Sequence, residues 1–573
     1  MLDVTDRSGP ARRGRWTAGQ TKVEFPNILF RDSTMFPAPP YAELTVSGEE
    51  RIEVRGGSGE ALAAFEQNII RPLDAHKEAA VERGTNAAVV RGRPSGPAIE
   101  GSEEIIVMGN AFELRRDARA FADTVAALRE AAGADRLIYA PGLMEPSNLA
   151  LLVYAGIDLF DSSLPLYQSA RGKLLLTEGS LPAGDGTWLA ERDGEEAHNL
   201  EAVWKELQLV RHMIRVGRLR ELVETRVSAS PWMVAALRIL DLQQYEYQEK
   251  RWPVVGPRFY ANTKASLFRP DVWRFRRRIM ERWKPAPHKK VLLLIPCSAK
   301  KPYFTSRSHR QFEEVLLSVP NSSAVQELII TSPLGAVPRE LELFYPAAQY
   351  DIPVTGNWDL EEVRMIQDLV VRAASFGFTK IISHLGSESG FVGEVVECVD
   401  TTQGWGTTTP ESLERLRLEL KEACEAAERV PRAVDRVELL RSQARYQFGA
   451  EGEALLDGCT VAGKYPYLKF LRGNAQLGML TPERGMLSLT MDGGAVLLEK
   501  GIHTVQMGDF DLGGNLFAVG VTGADDRIRA GDEVAIVRNG ELEGVGVAAM
   551  SGQEMVQSRR GEAVRVRHKR KRK

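Results

Sequence analysis

Short apolar runs alternate with amphipathic stretches from the N-terminus to about Arg251. Ala87 to Val90, Glu104 to Gly109, Arg136 to Ala140 and Gly156 to Phe160 read as strands, because short runs rich in branched side chains suit buried parallel strands. Asp117 to Ala131 between two of them carries the apolar spacing of a helix. In Asn199 to Thr225, Leu200, Val203, Trp204, Leu207, Val210, Ile214 and Leu219 recur mostly at three- and four-residue spacing, which predicts a long helix or a helix pair. This β/α alternation implies a parallel sheet or a (β/α)₈ barrel, and the shortage of regular strands makes the barrel degenerate.

Trp252 to Pro287 is rich in arginine, proline and tryptophan without a clean period, so it reads as a connector. A second α/β unit follows, with strands at Val291 to Ile295, Leu328 to Thr331 and Lys380 to Ser383. Helices near Gln311 to Val319, Leu360 to Ser375 and Pro410 to Ala427 supply its crossovers. The pattern becomes small and mixed after Val434. From about Val496 short strands separated by glycine turns, as in Gly531 to Gly540, predict a compact β-barrel. The expectation is an α/β multidomain chain divided at 1–255, 256–432, 433–494 and 495–573.

A length of 573 residues supports several domains, on a prior of about 100–200 residues each. The net charge of -3 fits an ordinary globular protein, and no apolar run approaches the roughly 20 residues of a membrane span. Arg12, Arg13 and Arg15 have no apolar stretch behind them, which argues against a secretory signal and for a cytoplasmic protein. The four cysteines are scattered without a C-x-x-C pair, so neither a disulfide framework nor a zinc knuckle is indicated. One local imbalance stands out, the basic end Arg565 to Lys573. Its Arg567, Lys569, Arg570, Lys571 and Arg572 suit a phosphate backbone, against the plainer reading of a solvated terminus.

The densest chemistry lies in Pro296-Cys-Ser-Ala-Lys-Lys-Pro-Tyr-Phe-Thr-Ser-Arg-Ser-His309, directly after an expected parallel strand. Ligands bind at that edge of open α/β sheets. The loop gathers a thiol (Cys297), ammonium groups (Lys300, Lys301), a phenol (Tyr303), a hydroxyl (Ser306) and an imidazole (His309). The bland readings are a buried inert cysteine, a solvated lysine turn and a helix-start histidine.

Three other segments share one likeness. Asp158-Leu-Phe-Asp-Ser-Ser-Leu-Pro-Leu-Tyr-Gln-Ser-Ala-Arg171 resembles the nucleophile region of tRNA-guanine transglycosylases, with Asp161 at the nucleophile position. The helix from His198 through Val223 resembles the segment after their zinc site, and Arg529-Ala-Gly-Asp-Glu-Val with Gly544 to Met555 resembles a PUA domain, a small RNA-binding barrel. Transglycosylases hold zinc through C-x-C-x-x-C and a histidine. Here His198 follows Thr187 to Ala197 without a cysteine, so no metal is expected and base exchange is disfavoured.

The Cys297 loop resembles the P-C-x-x-x-K-P-Y-x-x-S-x-x-H signature of the archaeosine synthases, the archaeal transglycosylase paralogues. Pro296, Cys297, Lys301, Pro302, Tyr303, Ser306 and His309 fill its positions, and Ser332 to Glu342 and Tyr350 to Asp359 extend the likeness. The resemblance implies conversion of the nitrile of 7-cyano-7-deazaguanine in a tRNA D-loop to a formamidine, or addition of an amino-acid amine as a first step. A degenerate transglycosylase-like barrel, an α/β domain, a small α+β linker domain and a C-terminal PUA barrel would carry it.

In that chemistry Cys297 is the thiolate that activates the nitrile carbon. Lys300, Lys301 and His309 are the cations expected to lower its pKa, and His309 or Tyr303 delivers a proton to the imidate nitrogen. Lys301 and Ser306 have a rival role in holding a phosphate or a donor carboxylate, and Lys300, Ser306 and Asp161 are candidates for substrate binding. No cofactor is implied. Glutamine or lysine serves as amine co-substrate, a radical-SAM partner completes the lysine route, and a homodimer is expected by analogy. The alternatives are a transglycosylase and a non-catalytic tRNA-presenting subunit.

Overall fold

The computed structural model describes residues 2–18, 20–48, 50–57, 59–66, 80–94, 99–184 and 194–571. They form two compact units. The first is Met1–Pro253 with the segments Phe517–Val521 and Met550–Ala563, and the second is Val254–Leu516 with Thr522–Ala549 and Val564–Lys573. No helix among the described residues is long and apolar enough to cross a membrane.

The first unit is built on a nine-stranded sheet among its described residues. Strands Leu44–Val46, Asn27–Arg31, Leu159–Asp161, Leu137–Ala140, Ile105–Met108 and Ala87–Arg91 lie parallel in that order. Antiparallel strands flank them at each edge. The sheet curls far enough for its edges to meet, Ala64 and Thr85 exchanging hydrogen bonds of 2.9 and 2.8 Å. One side chain in two points inward, so Leu29, Val89, Val107, Tyr139 and Leu159 join a single interior cluster. The expected strands and the helix, observed at Ala118–Ala132 with Asp117 as its cap, are present. The Asn199 to Thr225 pattern is a pair, Gly194–Arg215 and Leu219–Arg226. An antiparallel sheet of Leu2–Ser8, Ala11–Ala18 and Thr21–Phe25 precedes the barrel and was not foreseen. Its charged residues, including Arg12 paired with buried Asp158 at 2.9 Å, hide its alternation.

The second unit shares one core from Val254 to Val545. Its α/β sheet has the order Gly335–Pro338, Val325–Thr331, Val291–Pro296, Lys380–Ser383, Val399–Asp400. The Val291–Pro296 strand is parallel to both neighbours and all but its last residue are buried, as its unbroken apolar run requires. The chain leaves this strand to one neighbour and later returns to the other, so the sheet has its switch point there. Gly335 has φ +78°, a left-handed backbone conformation that favours glycine there.

The stretch expected to be a connector contains a helix, Pro270–Arg282. Proline opens it at a position where its missing N–H costs nothing. Val272, Phe275 and Ile279 are buried at helical spacing, followed by Trp283, and the intervening charges obscure the period. Arg269 and Asp271, for example, form a buried ion pair at 3.1 Å. Arg432–Phe448 is a further helix, leading into the antiparallel meander Cys459–Lys464, Tyr467–Arg472, Ala475–Thr481 and Met486–Leu489. The last sheet has six strands among the described residues, and its final strand Glu562–Lys569 runs into the basic end.

Candidate active site

Cys297 stands one residue past the central strand, and its N–H donates to the carbonyl of Ile330 at 3.1 Å, which continues the sheet ladder. The strand edge thereby sets the cysteine on the wall of a cavity of about 210 Å³, which Ile330, Ser332, Trp358, Glu362 and Glu388 also line. Leu360–Ala374 begins beside it with the capping box that an acidic helix start implies, Asp359 accepting from Glu361 and Glu362. Glu362 is held on both oxygens, by the Ser332 hydroxyl at 2.5 Å and the Asp359 N–H at 2.9 Å. Glu388, in the turn Gly386–Glu388, accepts from the Trp358 indole at 3.4 Å.

Behind the thiol runs a chain of hydroxyls. Tyr303 meets Tyr350 at 2.6 Å, Tyr350 meets Thr331 at 2.5 Å, and the Thr331 hydroxyl also reaches the Ser332 carbonyl at 3.2 Å. The ammonium of Lys301 lies 4.0 Å from the ring centroid of Tyr350, a favourable cation–π placement. Burial lowers this ammonium below the ordinary lysine value, and the Cys297 and Asp351 charges pull it back.

Cys297 departs from the activated thiolate expected of it. Burial pushes the thiol above its ordinary value, the Thr331 hydroxyl and Lys301 pull against burial, and the Glu388 charge reinforces it. The physical reason is that desolvating a thiolate costs more than one partly buried ammonium returns. The resting group is therefore a thiol.

His309 is not one of the cations. Burial and the neighbouring Arg339 lower its imidazolium to about 3. Arg339 donates to Nδ1 at 2.8 Å, and a guanidinium has only donors. The lone pair is thus on Nδ1 and the proton on Nε2, which is buried without a hydrogen-bond partner among the described residues. The ring stacks on Tyr303 with centroids 5.4 Å apart, so it supports that wall.

Tyr303 is fully buried with its hydroxyl on Tyr350. Desolvation raises its phenol, and it stands behind the cavity wall instead of delivering a proton into the cavity. Ser306 caps Arg307–Ser318 by accepting from the His309 N–H at 3.3 Å, which commits its hydroxyl to the helix start. Lys300 is exposed at the loop surface. The loop thus brings Cys297 and Lys301 together, with Tyr303 joined through hydroxyls and His309 and Ser306 serving as supports.

Asp161 belongs to the first unit. It ends the strand Leu159–Asp161 and lines a pocket of about 240 Å³ with Arg31, Asn110, Phe112 and Tyr167. Its carboxylate accepts from the Tyr139 hydroxyl at 2.6 Å, the Ser163 N–H at 2.7 Å and the Gly142 N–H at 3.1 Å. His198 is nearby in sequence only to the missing cysteines; its Nε2 faces the Leu175 carbonyl at 3.2 Å. Among the described residues no group of three or more His, Cys, Asp or Glu is arranged to hold a metal.

At the basic end, Arg567 pairs with buried Glu533, so much of its charge is spent inside the barrel. Lys569 donates to the Gly513 carbonyl at 2.8 Å, Arg570 pairs with Glu541, and Lys571 is exposed. Arg572 lies outside the described residues.

Thr331, Tyr350 and Glu388 were not singled out from sequence. Thr331 ends an expected strand on the same edge, a usable signal, and Glu388 follows soon after another. Tyr350 joins them only because the strand Tyr350–Asp351 pairs with Phe259–Tyr260, which has no local signature.

The queuine tRNA-ribosyltransferase family model matches residues 96–191, a domain of unknown function matches 272–420, and the PUA domain matches 510–570. The archaeosine synthase subunit alpha of Methanosarcina acetivorans is 35% identical over 543 residues, covering 86% of this chain and 85% of the relative. The archaeosine synthase of Haloferax volcanii is 34% identical over 79% of this chain and 80% of its own length. A tRNA-guanine(15) transglycosylase of Methanothermobacter thermautotrophicus is 28% identical over 74% of this chain and 65% of its own. The transglycosylase-like α/β region and the C-terminal PUA domain are both present, and on the extent of these matches the chain belongs to the archaeosine synthase family.

Proposed function

We propose that this protein acts on tRNA carrying 7-cyano-7-deazaguanine and turns the nitrile into an amidine, either directly or by attaching an amino-acid amine first. The observation that carries this reading is the Cys297 thiol on the cavity wall, with a Lys301 charge near enough to favour its anion. A nitrile carbon is a weak electrophile. Sulfur addition makes a thioimidate, which an amine attacks more readily, expelling the thiol. Lys301 supplies charge that favours sulfur anion at the moment of attack, and the Thr331 hydroxyl favours the anion as well. Neither step changes an oxidation state, so the reaction calls for an amine co-substrate such as glutamine or lysine and no redox cofactor.

The PUA domain and the exposed Lys571 support engagement of the tRNA backbone, whose phosphates provide affinity that falls with salt. The Methanosarcina acetivorans relative is named as a subunit alpha. That name favours the two-step route, in which this chain attaches the amine and a radical-SAM partner finishes the amidine.

Nucleoside mass spectrometry of cyano-deazaguanine tRNA, incubated with the protein and each candidate donor, tests the reading. An amidine or amino-acid adduct that is lost in Cys297→Ala is the expected result. An unchanged nitrile with every donor, despite measured tRNA binding, overturns it and leaves a tRNA-presenting role.

A further inference from the structure

We infer that Glu388 is the general base of the Cys297 cavity, taking the thiol proton as sulfur attacks and handing it to the nitrile nitrogen. This rests on the nitrile reading above. A thiol that stays protonated in its resting state must lose its proton during attack, and an acceptor has to stand in the same cavity.

The groups around the cavity leave one candidate. Glu362 lines it but is held by Ser332 at 2.5 Å and by the Asp359 N–H at 2.9 Å, so a proton there would break a short hydrogen bond or a helix cap. His309 has its lone pair on Arg339 and Tyr303 has its hydroxyl on Tyr350. His384, at the same sheet edge, is engaged at both nitrogens, by Thr401 at 2.8 Å and the Thr407 carbonyl at 2.6 Å. Lys301 does not line the cavity. Glu388 does, and its charge is felt at the sulfur. One of its oxygens takes only the long 3.4 Å contact from Trp358, and the other accepts no hydrogen bond among the described residues.

The proton balance closes with this single group. The S–H proton moves to the Glu388 carboxylate, an S–C bond forms, and the electron pair of one C≡N π bond takes that proton back to give the thioimidate. When the amine adds, its N–C bond forms, the C=N π pair moves onto the imidate nitrogen and the amine's surplus proton goes to Glu388. The nitrogen pair then re-forms the C=N double bond as the C–S bond breaks, and the departing sulfur recovers a proton from Glu388 as a thiol. Nothing is oxidised or reduced, and the carboxylate ends as it began.

Two readouts on Glu388→Gln separate a base from a bystander. One is site-resolved alkylation of Cys297 by iodoacetamide, followed by peptide mass spectrometry because Cys398, Cys424 and Cys459 are also present. The other is formation of the Cys297 thioimidate with tRNA carrying 7-cyano-7-deazaguanine, without donor. Removing a negative charge beside the sulfur favours thiolate, so alkylation accelerates several-fold. Removing the base slows thioimidate formation by about 100-fold or more, and Glu388→Asp falls between. The two rates moving in opposite directions supports the assignment. Thioimidate formation at the wild-type rate or faster overturns it, as does slowing of both reactions together. A wild-type protein that forms no thioimidate at Cys297 removes the nitrile reading and the base with it.

Discussion

Each unit ends parallel strands in a pocket of similar size, about 240 Å³ around Asp161 and about 210 Å³ beside Cys297. Asp161 is fully buried and its carboxylate is tied to a phenol and two backbone N–H groups. Cys297 is partly exposed and shares its cavity with the loosely held carboxylate of Glu388. The same topological location therefore supports two different states. A carboxylate that is already saturated by donors is stabilised where it is and has little to offer a reaction, whereas a thiol opposite an unsaturated acceptor keeps its chemistry available.

The largest expected effect follows from that contrast. Cys297→Ala lowers amidine or adduct formation by about 10³-fold or more. Asp161→Asn instead costs about 1–3 kcal/mol of stability by disrupting its donors and leaves kcat within about twofold at saturating tRNA. Equal losses in kcat from the two substitutions, measured by nucleoside mass spectrometry, would erase the distinction.

The support behind the thiol provides a sharper test. Cys297 alkylation by iodoacetamide rises with pH and reaches its midpoint above that of a free cysteine, because burial holds the proton on the sulfur. Lys301→Met removes the ammonium that opposes burial, so the midpoint moves further up and alkylation at pH 8 slows by about 10-fold. A midpoint unmoved by the substitution would detach Lys301 from the site.

His309 predicts a pH effect on folding. Its imidazole titrates at about 3 in the folded protein, against about 6.5 in an unfolded chain. Below pH 6.5 the unfolded chain binds a proton that the folded one refuses, so stability is present above that pH and falls as acid is added, until pH 3. The slope reaches about 1.4 kcal/mol per pH unit. Denaturant titrations of His309→Gln should show that slope reduced.

The smallest effect is expected at Tyr350→Phe, which cuts the hydroxyl chain between Tyr303 and Thr331. A drop of about 5-fold in thioimidate formation, with stability changed by about 1 kcal/mol, would show that the buried hydroxyl chain supports the thiol's position.

Much of the fold was legible because period and burial agree. The Val291 to Ile295 run has apolar neighbours on both faces, and the helices at Ala118–Ala132 and Leu360–Ala374 carry both caps and stripes. Pro270–Arg282 was not, because its core side chains alternate with arginines whose partners are distant in sequence, as when Arg276 donates to the Pro333 carbonyl at 3.3 Å. The site divided along the same line. Cys297 at a strand end is a local fact, whereas the protonation of its sulfur is a sum over Thr331, Lys301 and Glu388, brought together by three strands.

By itself the sequence determined which residues carry reactive groups, which segments with an unbroken apolar run or a clean helical stripe become strands and helices, and which family they resemble, since these depend on composition and spacing along one chain. Tertiary structure decided that Cys297 rests as a thiol, that His309 is neutral and that Glu388 lines the same cavity as the sulfur. Charge is governed by distance through space and by loss of water, and neither is set until the strands have been placed side by side.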